Sequence, residues 1–264
     1  GLRDISDAPE GVEEAWGRSG VDQLIEECYD DVVVYGTEAC NDTADVYGFS
    51  ESLTDRTTYL GFVVEDVDVD GLVVPESVSA SPNVVVTAGG GDGAAEDLTR
   101  CAVDMVKAGH GPDGMTLTVI PGPLAPAGLV DELRERSAVW PVVIHDLVDP
   151  TSPFMHAADA VVSTGGYNTS MQLQRYAHRA VVGPRVMHRQ EQLMRARRLE
   201  ELGRVVCLHP DELTPERLGG LLRGLCSVPA RPLAEARDSG ELDFDGARRL
   251  AEFCNERLSA TSCT

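Results

Sequence analysis

Two glycine clusters hold the residues best placed to do chemistry. Gly165-Gly166-Tyr167-Asn168-Thr169 follows the apolar run Val161-Val162 and opens a segment of helical character. The free N–H groups at such a start and the positive end of the helix dipole together form an anion site. Two glycines allow close backbone approach, and Asn168 or Thr169 can cap the helix or donate to a phosphate. Gly89-Gly90-Gly91-Asp92-Gly93-Ala94 follows a second apolar run. Its spacing is not the dinucleotide fingerprint, and it lacks the Lys-Ser/Thr of a P-loop. Phosphate contact through Gly90, Gly91 and Gly93 and a purely structural turn both remain open. Glu191-Gln192 sets acceptors and donors side by side at another helix start, a pair suited to vicinal hydroxyls of a sugar or to capping a solvated helix. The histidines at 145, 156, 178, 188 and 209 show no metal spacing, and no Ser/His/Asp or Cys/His set can be assembled. Asp146, Asp149 and Asp159 read as loop and cap residues.

The elements that must position these residues alternate. Strands are expected at 31–36, 57–63, 84–87, 115–120, 142–144, 161–162, 180–182 and 205–208. Helices are expected at 11–29, 43–47, 94–108, 129–136, 153–158, 168–176, 190–202, 214–225 and 244–258. Leu193, Ala196, Leu199 and Leu202 recur at helical spacing, and Gly203 is placed to stop that helix. Pro215 suits a first helical turn. Alternating strands and helices predict an α/β protein with a doubly wound, Rossmann-like parallel sheet and a partial second α/β domain. Ligands bind beyond the carboxyl ends of such strands, and both glycine turns follow strands. The acidic stretch Glu65–Pro82 reads as a linker. It would separate a unit at 1–64 from a domain at 83–230, followed by a helical tail at 231–264.

The 264 residues carry a formal charge of −22, which argues against nucleic acid or an anionic membrane as partner of the bulk surface. The charge is uneven: residues 1–80 hold twenty acidic residues against three Arg. Residues 185–204 hold six Arg against three Glu. That basic island either marks an anion site or is a solvated helix face, and the solvated face is the simpler expectation for each arginine. Lys107 is the single lysine, a balance that suits high salt or a GC-rich genome. Seven cysteines without CxxC spacing suggest neither a disulfide framework nor a zinc site. With no visible signal peptide and no apolar run long enough to span a bilayer, a reduced cytoplasmic protein is expected. The chain lacks an initiator Met, and Gly1–Ile5 reads as the tail of a strand begun upstream, so a fragment is expected.

Three stretches together resemble the C-terminal, donor-binding half of GT-B fold glycosyltransferases. They are similar to relatives of the N-acetylglucosaminyltransferase that forms lipid II, the glycosyltransferase family 28 C-terminal type. These stretches are GGGDGA at Gly89–Ala94, AADAVVSTGGYNT at Ala157–Thr169 and PRVMHRQEQLMRARRLEELG at Pro184–Gly203. The resemblance extends from about Leu60 to Leu225. It implies that the Gly89–Gly93 loop and the helix start at Gly166–Thr169 face a donor diphosphate. The backbone around Leu147-Val148 would hold a uracil-type base, and Glu191 and Gln192 the transferred sugar. No cofactor or metal is implied where helix starts and loop amides neutralise the leaving diphosphate. Two positions depart from the pattern. Gln172 stands where the family usually has a ribose-gripping Glu, and a neutral group should hold less tightly. Ala177-His178-Arg179 replaces a Gly-x-Pro. The catalytic base of inverting relatives comes from the other half of the molecule, so no base is named.

The expected function is that of a hexosyltransferase, moving a sugar from a nucleoside diphosphate sugar, a UDP-sugar first, to an acceptor hydroxyl of unknown identity. The alternatives are a non-catalytic nucleotide-sugar-binding or scaffold protein and a nucleotide-sugar epimerase.

Overall fold

The computed structural model describes residues 1–69, 82–89, 94–228 and 242–261. In chain order the first unit contains β1 (Leu2–Arg3), α1 (Pro9–Ser19), α2 (Val21–Cys28), β2 (Val32–Tyr35), α3 (Thr43–Val46), α4 (Glu51–Thr54) and β3 (Thr57–Tyr59). Its three strands pair in parallel in the order β1-β2-β3. The single helix expected over 11–29 is two. Gly20 adopts a left-handed conformation (φ 61°) and its N–H closes α1 on Trp16, so the axis restarts at Val21. The strand expected to reach Val63 stops at Tyr59: Leu60 N and Gly61 N still donate to Val34 O (3.0 Å) and Gly36 O (2.9 Å), after which Phe62 N turns to Asp243 O (2.6 Å) and Val63 N to the Tyr167 hydroxyl (3.1 Å).

The second unit runs β4 (Asn83–Thr87), α5 (Ala94–Lys107), β5 (Thr116–Ile120), α6 (Leu129–Ser137), β6 (Val142–Ile144), α7 (Ser152–Ala157), β7 (Ala160–Ser163), α8 (Tyr167–Tyr176), β8 (Ala180–Val182), α9 (Glu191–Glu201), β9 (Val206–Cys207) and α10 (Pro215–Cys226). All six strands are parallel, in the order β6-β5-β4-β7-β8-β9. Val84, Val85, Val86, Val161, Val162, Val181 and Val182 are completely buried, as expected for strands covered on both faces. One face packs Leu98, Val103, Leu133, Leu218 and Leu222 from α5, α6 and α10. The other packs Met155, Met171, Leu173 and Leu199 from α7, α8 and α9, together with Phe62 from the first unit. The expected doubly wound α/β class is therefore what the chain adopts. The direction of winding reverses between β4 and β7, which opens a crevice at their carboxyl ends.

The described part of the expected linker is pinned to α8. Tyr176 accepts from Val67 N (2.8 Å) and donates to Glu65 O (2.6 Å), and Arg175 pairs with Asp66. Residues 70–81 lie outside the described residues. The last helix, α11 (Gly246–Thr261), returns to the first unit. Phe62 N donates to Asp243 O (2.6 Å), Gly246 N donates to Phe62 O (3.2 Å), and Arg257 pairs with Asp31.

Two histidines of the second unit resist protonation. His145 lies edge-on to Phe154, and its Nε2 is buried without a partner. The His178 ring is tilted against that of His156 with centroids 5.4 Å apart, and its Nδ1 is likewise buried and unpartnered. Burial pushes both rings below the ordinary value of 6.5. A depressed histidine contributes stability that is present above 6.5 and is lost as pH falls through the folded-state value. Urea melts on either side of pH 6.5 should show that loss, and the double variant His145→Leu/His178→Leu should flatten the curve relative to wild type.

Candidate functional site

The crevice between β4 and β7 is stitched by hydroxyls. Ser163 Oγ donates to Thr87 O (2.7 Å) and Thr164 Oγ1 to Ala88 O (3.1 Å), all buried. These bonds continue the strand pairing one residue beyond the ladder, so the two glycine turns leave the sheet side by side. Gly89 turns with φ 60°, and a Cβ there would lie 2.7 Å from Thr169 Oγ1. The first turn of α8 therefore rests on the start of the other glycine loop. Gly90, Gly91 and Gly93 lie outside the described residues.

The turn between β7 and α8 is held from behind by α9. Gly165 N donates to the Gln192 side-chain oxygen (3.2 Å), which also accepts from Arg185 N (3.0 Å). A Cβ on Gly165 would sit 3.0 Å from Gln192 O and 3.1 Å from Gln192 Cβ. Gly166 is the opposite case. It is the N-cap of α8, with φ −60° and ψ 149°, and a Cβ there would meet nothing within 4 Å. The sequence suggested Asn168 or Thr169 as the cap. Both instead lie within the first helical turn, and no side chain caps α8. Asn168 is exposed and Thr169 is buried. The α8 start thus presents backbone amides to the open side of the crevice, while the start of α9 packs behind it.

Charge is placed in a way the residue types did not suggest. Arg197 does lie on the outer side of α9, paired with Glu200 (3.0 Å), whereas the half-buried Arg198 pairs with Glu201 (3.1 Å) and also donates to Cys40 O (2.7 Å) and Ala39 O (3.0 Å) of the first unit. Arg195 does not: it is 1% exposed. Its Nη2 donates to Ile5 O (2.9 Å) and meets Asp4 Oδ1 (3.3 Å), and its Nη1 donates to Gly165 O (3.3 Å). The expectation of a solvated arginine face fails at this position because Asp4, from the distant first unit, neutralises the charge. Burial pushes the Asp4 carboxyl up, and Arg195 opposes that shift. Tyr167, the first residue of α8, completes the group. Its hydroxyl donates to Tyr35 O (3.1 Å) and accepts from Val63 N (3.1 Å), and the Arg3 and Arg195 guanidinium groups lie 5.5 and 5.4 Å from its ring centre. The sequence placed Tyr167 in a glycine cluster and Arg195 in a basic island, but nothing in it joined either of them to Asp4.

The remaining expected residues lie in the loop after β6, on the second turn of α8 and at the start of α9. Leu147 is exposed and Val148 packs against the core, both in the loop after β6. Gln172 is half-buried on α8, and Glu191 is half-buried as the first residue of α9. Gln192 is 7% exposed with its oxygen engaged, which leaves its amide nitrogen as the part able to meet a ligand. Burial pushes the Cys40 and Cys101 thiols up to about 12, which removes them as nucleophiles at neutral pH. Among the described residues there is no cluster of three or more His, Cys, Asp or Glu able to hold a metal ion. No described helix is long and apolar enough to cross a membrane.

Solved structures share this fold. The calicheamicin glycosyltransferase CalG4 aligns with a TM-score of 0.58 at 16% identity, over 96% of this chain and 60% of its own. A glycotransferase of kitacinnamycin aligns with a TM-score of 0.62 at 21% identity, over 94% of this chain and 64% of its own. MurG of Acinetobacter baumannii aligns with a TM-score of 0.62 at 13% identity, over 94% of this chain and 77% of its own. The chain thus spans less than two thirds of the length of the first two. No curated protein matches it. The model of the glycosyltransferase family 28 C-terminal domain matches residues 84–250, which takes in the stitched crevice, both helix starts and the buried arginine. The chain belongs to the glycosyltransferase family 28 C-terminal domain family.

Proposed function

We propose that this chain is the donor-binding part of an inverting glycosyltransferase that moves a sugar from a nucleoside diphosphate sugar, UDP-linked first, to an acceptor hydroxyl. The observation that carries the reading is the pair of helix starts meeting at Gly165, with Gly166 open to solvent at the switch point of the sheet. When the acceptor oxygen attacks the anomeric carbon, the bond to the diphosphate oxygen breaks and charge collects on the leaving group. The amides at Gly166–Thr169 are fixed before that charge develops, so they stabilise it without reorganising. In the same reading Glu191 and the amide nitrogen of Gln192 hold sugar hydroxyls, and the Leu147-Val148 loop and Gln172 hold the base and ribose. The acceptor hydroxyl's proton goes to a base on the acceptor side, which none of the residues named here supplies.

Calorimetric titration with UDP and UDP-sugars tests the donor site, and the absence of heat with any nucleoside diphosphate would sink it. Binding without release of UDP in the presence of acceptors would favour a nucleotide-sugar-binding scaffold. Release of UDP with an epimerised sugar would favour an epimerase. Gly166→Ala is a sharper probe. The new methyl meets no protein atom, and its φ and ψ suit alanine, so the melting temperature should hardly move. UDP affinity should still fall by about tenfold or more, because the methyl occupies the space a phosphate needs beside the amides. Unchanged affinity would move the diphosphate elsewhere.

A further inference from the structure

Asp4 and Arg195 form a fully buried ion pair that joins the two units, with side chains 1% and 2% exposed. Such a pair contributes little to net stability, since desolvation roughly cancels the attraction. Asp4 Oδ2 and Arg195 Nε are also left without hydrogen-bond partners. Stability therefore does not explain why the charges are there, but their geometry does. The Asp4 backbone is fixed in the first unit, its carbonyl accepting from Asn41 Nδ2 (2.8 Å) and Thr43 Oγ1 (2.9 Å). From that anchor Arg195 is held by Asp4 Oδ1 and Ile5 O, and its free arm reaches the Gly165 carbonyl (3.3 Å). The Gly165–Gly166 peptide is planar, and only Asp149-Pro150 is cis among the described residues. In a trans peptide the carbonyl and the following N–H point in opposite directions. A carbonyl drawn inward to Arg195 turns the Gly166 N–H outward, toward the open side of the crevice.

We infer that Arg195, neutralised by Asp4, is a positioning residue: it sets the Gly165–Gly166 peptide so that its N–H faces the donor diphosphate. This rests on the donor-site reading and deepens it. It also makes the anion site depend on the first unit, since the β1 end is what holds the arginine. Asp4 itself is too buried to reach a substrate, so its role is exerted through Arg195.

The test uses the whole chain, with UDP as the probe. Arg195→Met leaves a buried, unpaired carboxylate and should lower both melting temperature and UDP affinity. Asp4→Asn/Arg195→Met removes both charges and should recover most of the melting temperature, yet bind UDP about tenfold more weakly or worse. Arg195→Lys keeps the charge but replaces the fork, whose one nitrogen holds Asp4 and Ile5 O while the other reaches Gly165 O, by a single shorter-reaching ammonium, so it should stay folded and also bind weakly. Amide exchange at Gly165, measured without nucleotide, should speed up in the double variant, because the turn loses its inner tie. A stable double variant with wild-type UDP affinity and wild-type exchange at Gly165 would overturn the inference. If the wild type itself takes no UDP, the donor reading falls, and the exchange at Gly165 alone decides the positioning role.

Discussion

Tyr167→Ala is expected to cost about 3–5 kcal/mol of stability, in the range for removing a large buried aromatic side chain. The ring is 5% exposed and packs against Phe62 at 6.4 Å between centroids, with two guanidinium groups near its face. Its hydroxyl also supplies both the acceptor for Val63 N and a donor for Tyr35 O. Tyr167→Phe isolates that hydroxyl. It leaves a Val63 N–H without its acceptor and should cost about 1–3 kcal/mol. Urea denaturation of both variants checks the two figures. A Phe variant as stable as wild type would show that Tyr167 joins the units by packing alone.

Gly165→Ala should lower stability and donor binding together. A methyl at 165 would press on Gln192 O at 3.0 Å, on Gln192 Cβ at 3.1 Å and on Val182 Cγ1 at 3.4 Å. The first two belong to the start of α9 and cannot swing aside like the end of a flexible side chain. Either α9 backs away or the turn tips, and both break the Gly165 N to Gln192 oxygen bond. Overpacking of this kind costs about 1–3 kcal/mol. UDP affinity should fall by about tenfold or more as the amides leave their set positions. Melting temperature and UDP titration read the two losses separately. Neighbouring glycines therefore carry opposite signatures: Ala at 166 harms binding alone, and Ala at 165 harms both. An Ala at 165 with an unchanged melting temperature would mean that α9 does not bear on the turn.

Local chemistry made much of this legible. The buried Val runs gave the strands of the larger sheet, and Gly203, with φ 68°, ends α9 where the helical spacing of its leucines placed the stop. Thr214 accepts from Arg217 N (3.2 Å) and Pro215 opens α10, as their types suggest. What the sequence hid depends on partners far along the chain. Nothing near Arg195 distinguishes it from Arg197 or Arg198, because the residue that neutralises it lies 191 positions away. The cap of α8 was misplaced for a related reason. Asn168 and Thr169 have good capping chemistry, but packing of Thr169 against Gly89 winds them into the helix and leaves the cap to Gly166. Gln192 looked like a ligand-facing amide because its type is polar. The close approach of α9 to Gly165 turned its oxygen inward.

The return of α11 to the first unit has a consequence for the order of assembly. Residues 83–228 lie between two segments that meet each other, where Phe62 bonds Asp243 and Gly246 and where Arg257 pairs with Asp31, 226 positions away. Contacts at such separation bear the full entropy of closing the intervening chain. The intervening sheet, whose strand pairs all form within it, can fold first and shorten that loop. The contact between Asp31 and Arg257 is therefore expected to form after the sheet that separates them, and the tie from Asp4 to Arg195 is expected to close late as well.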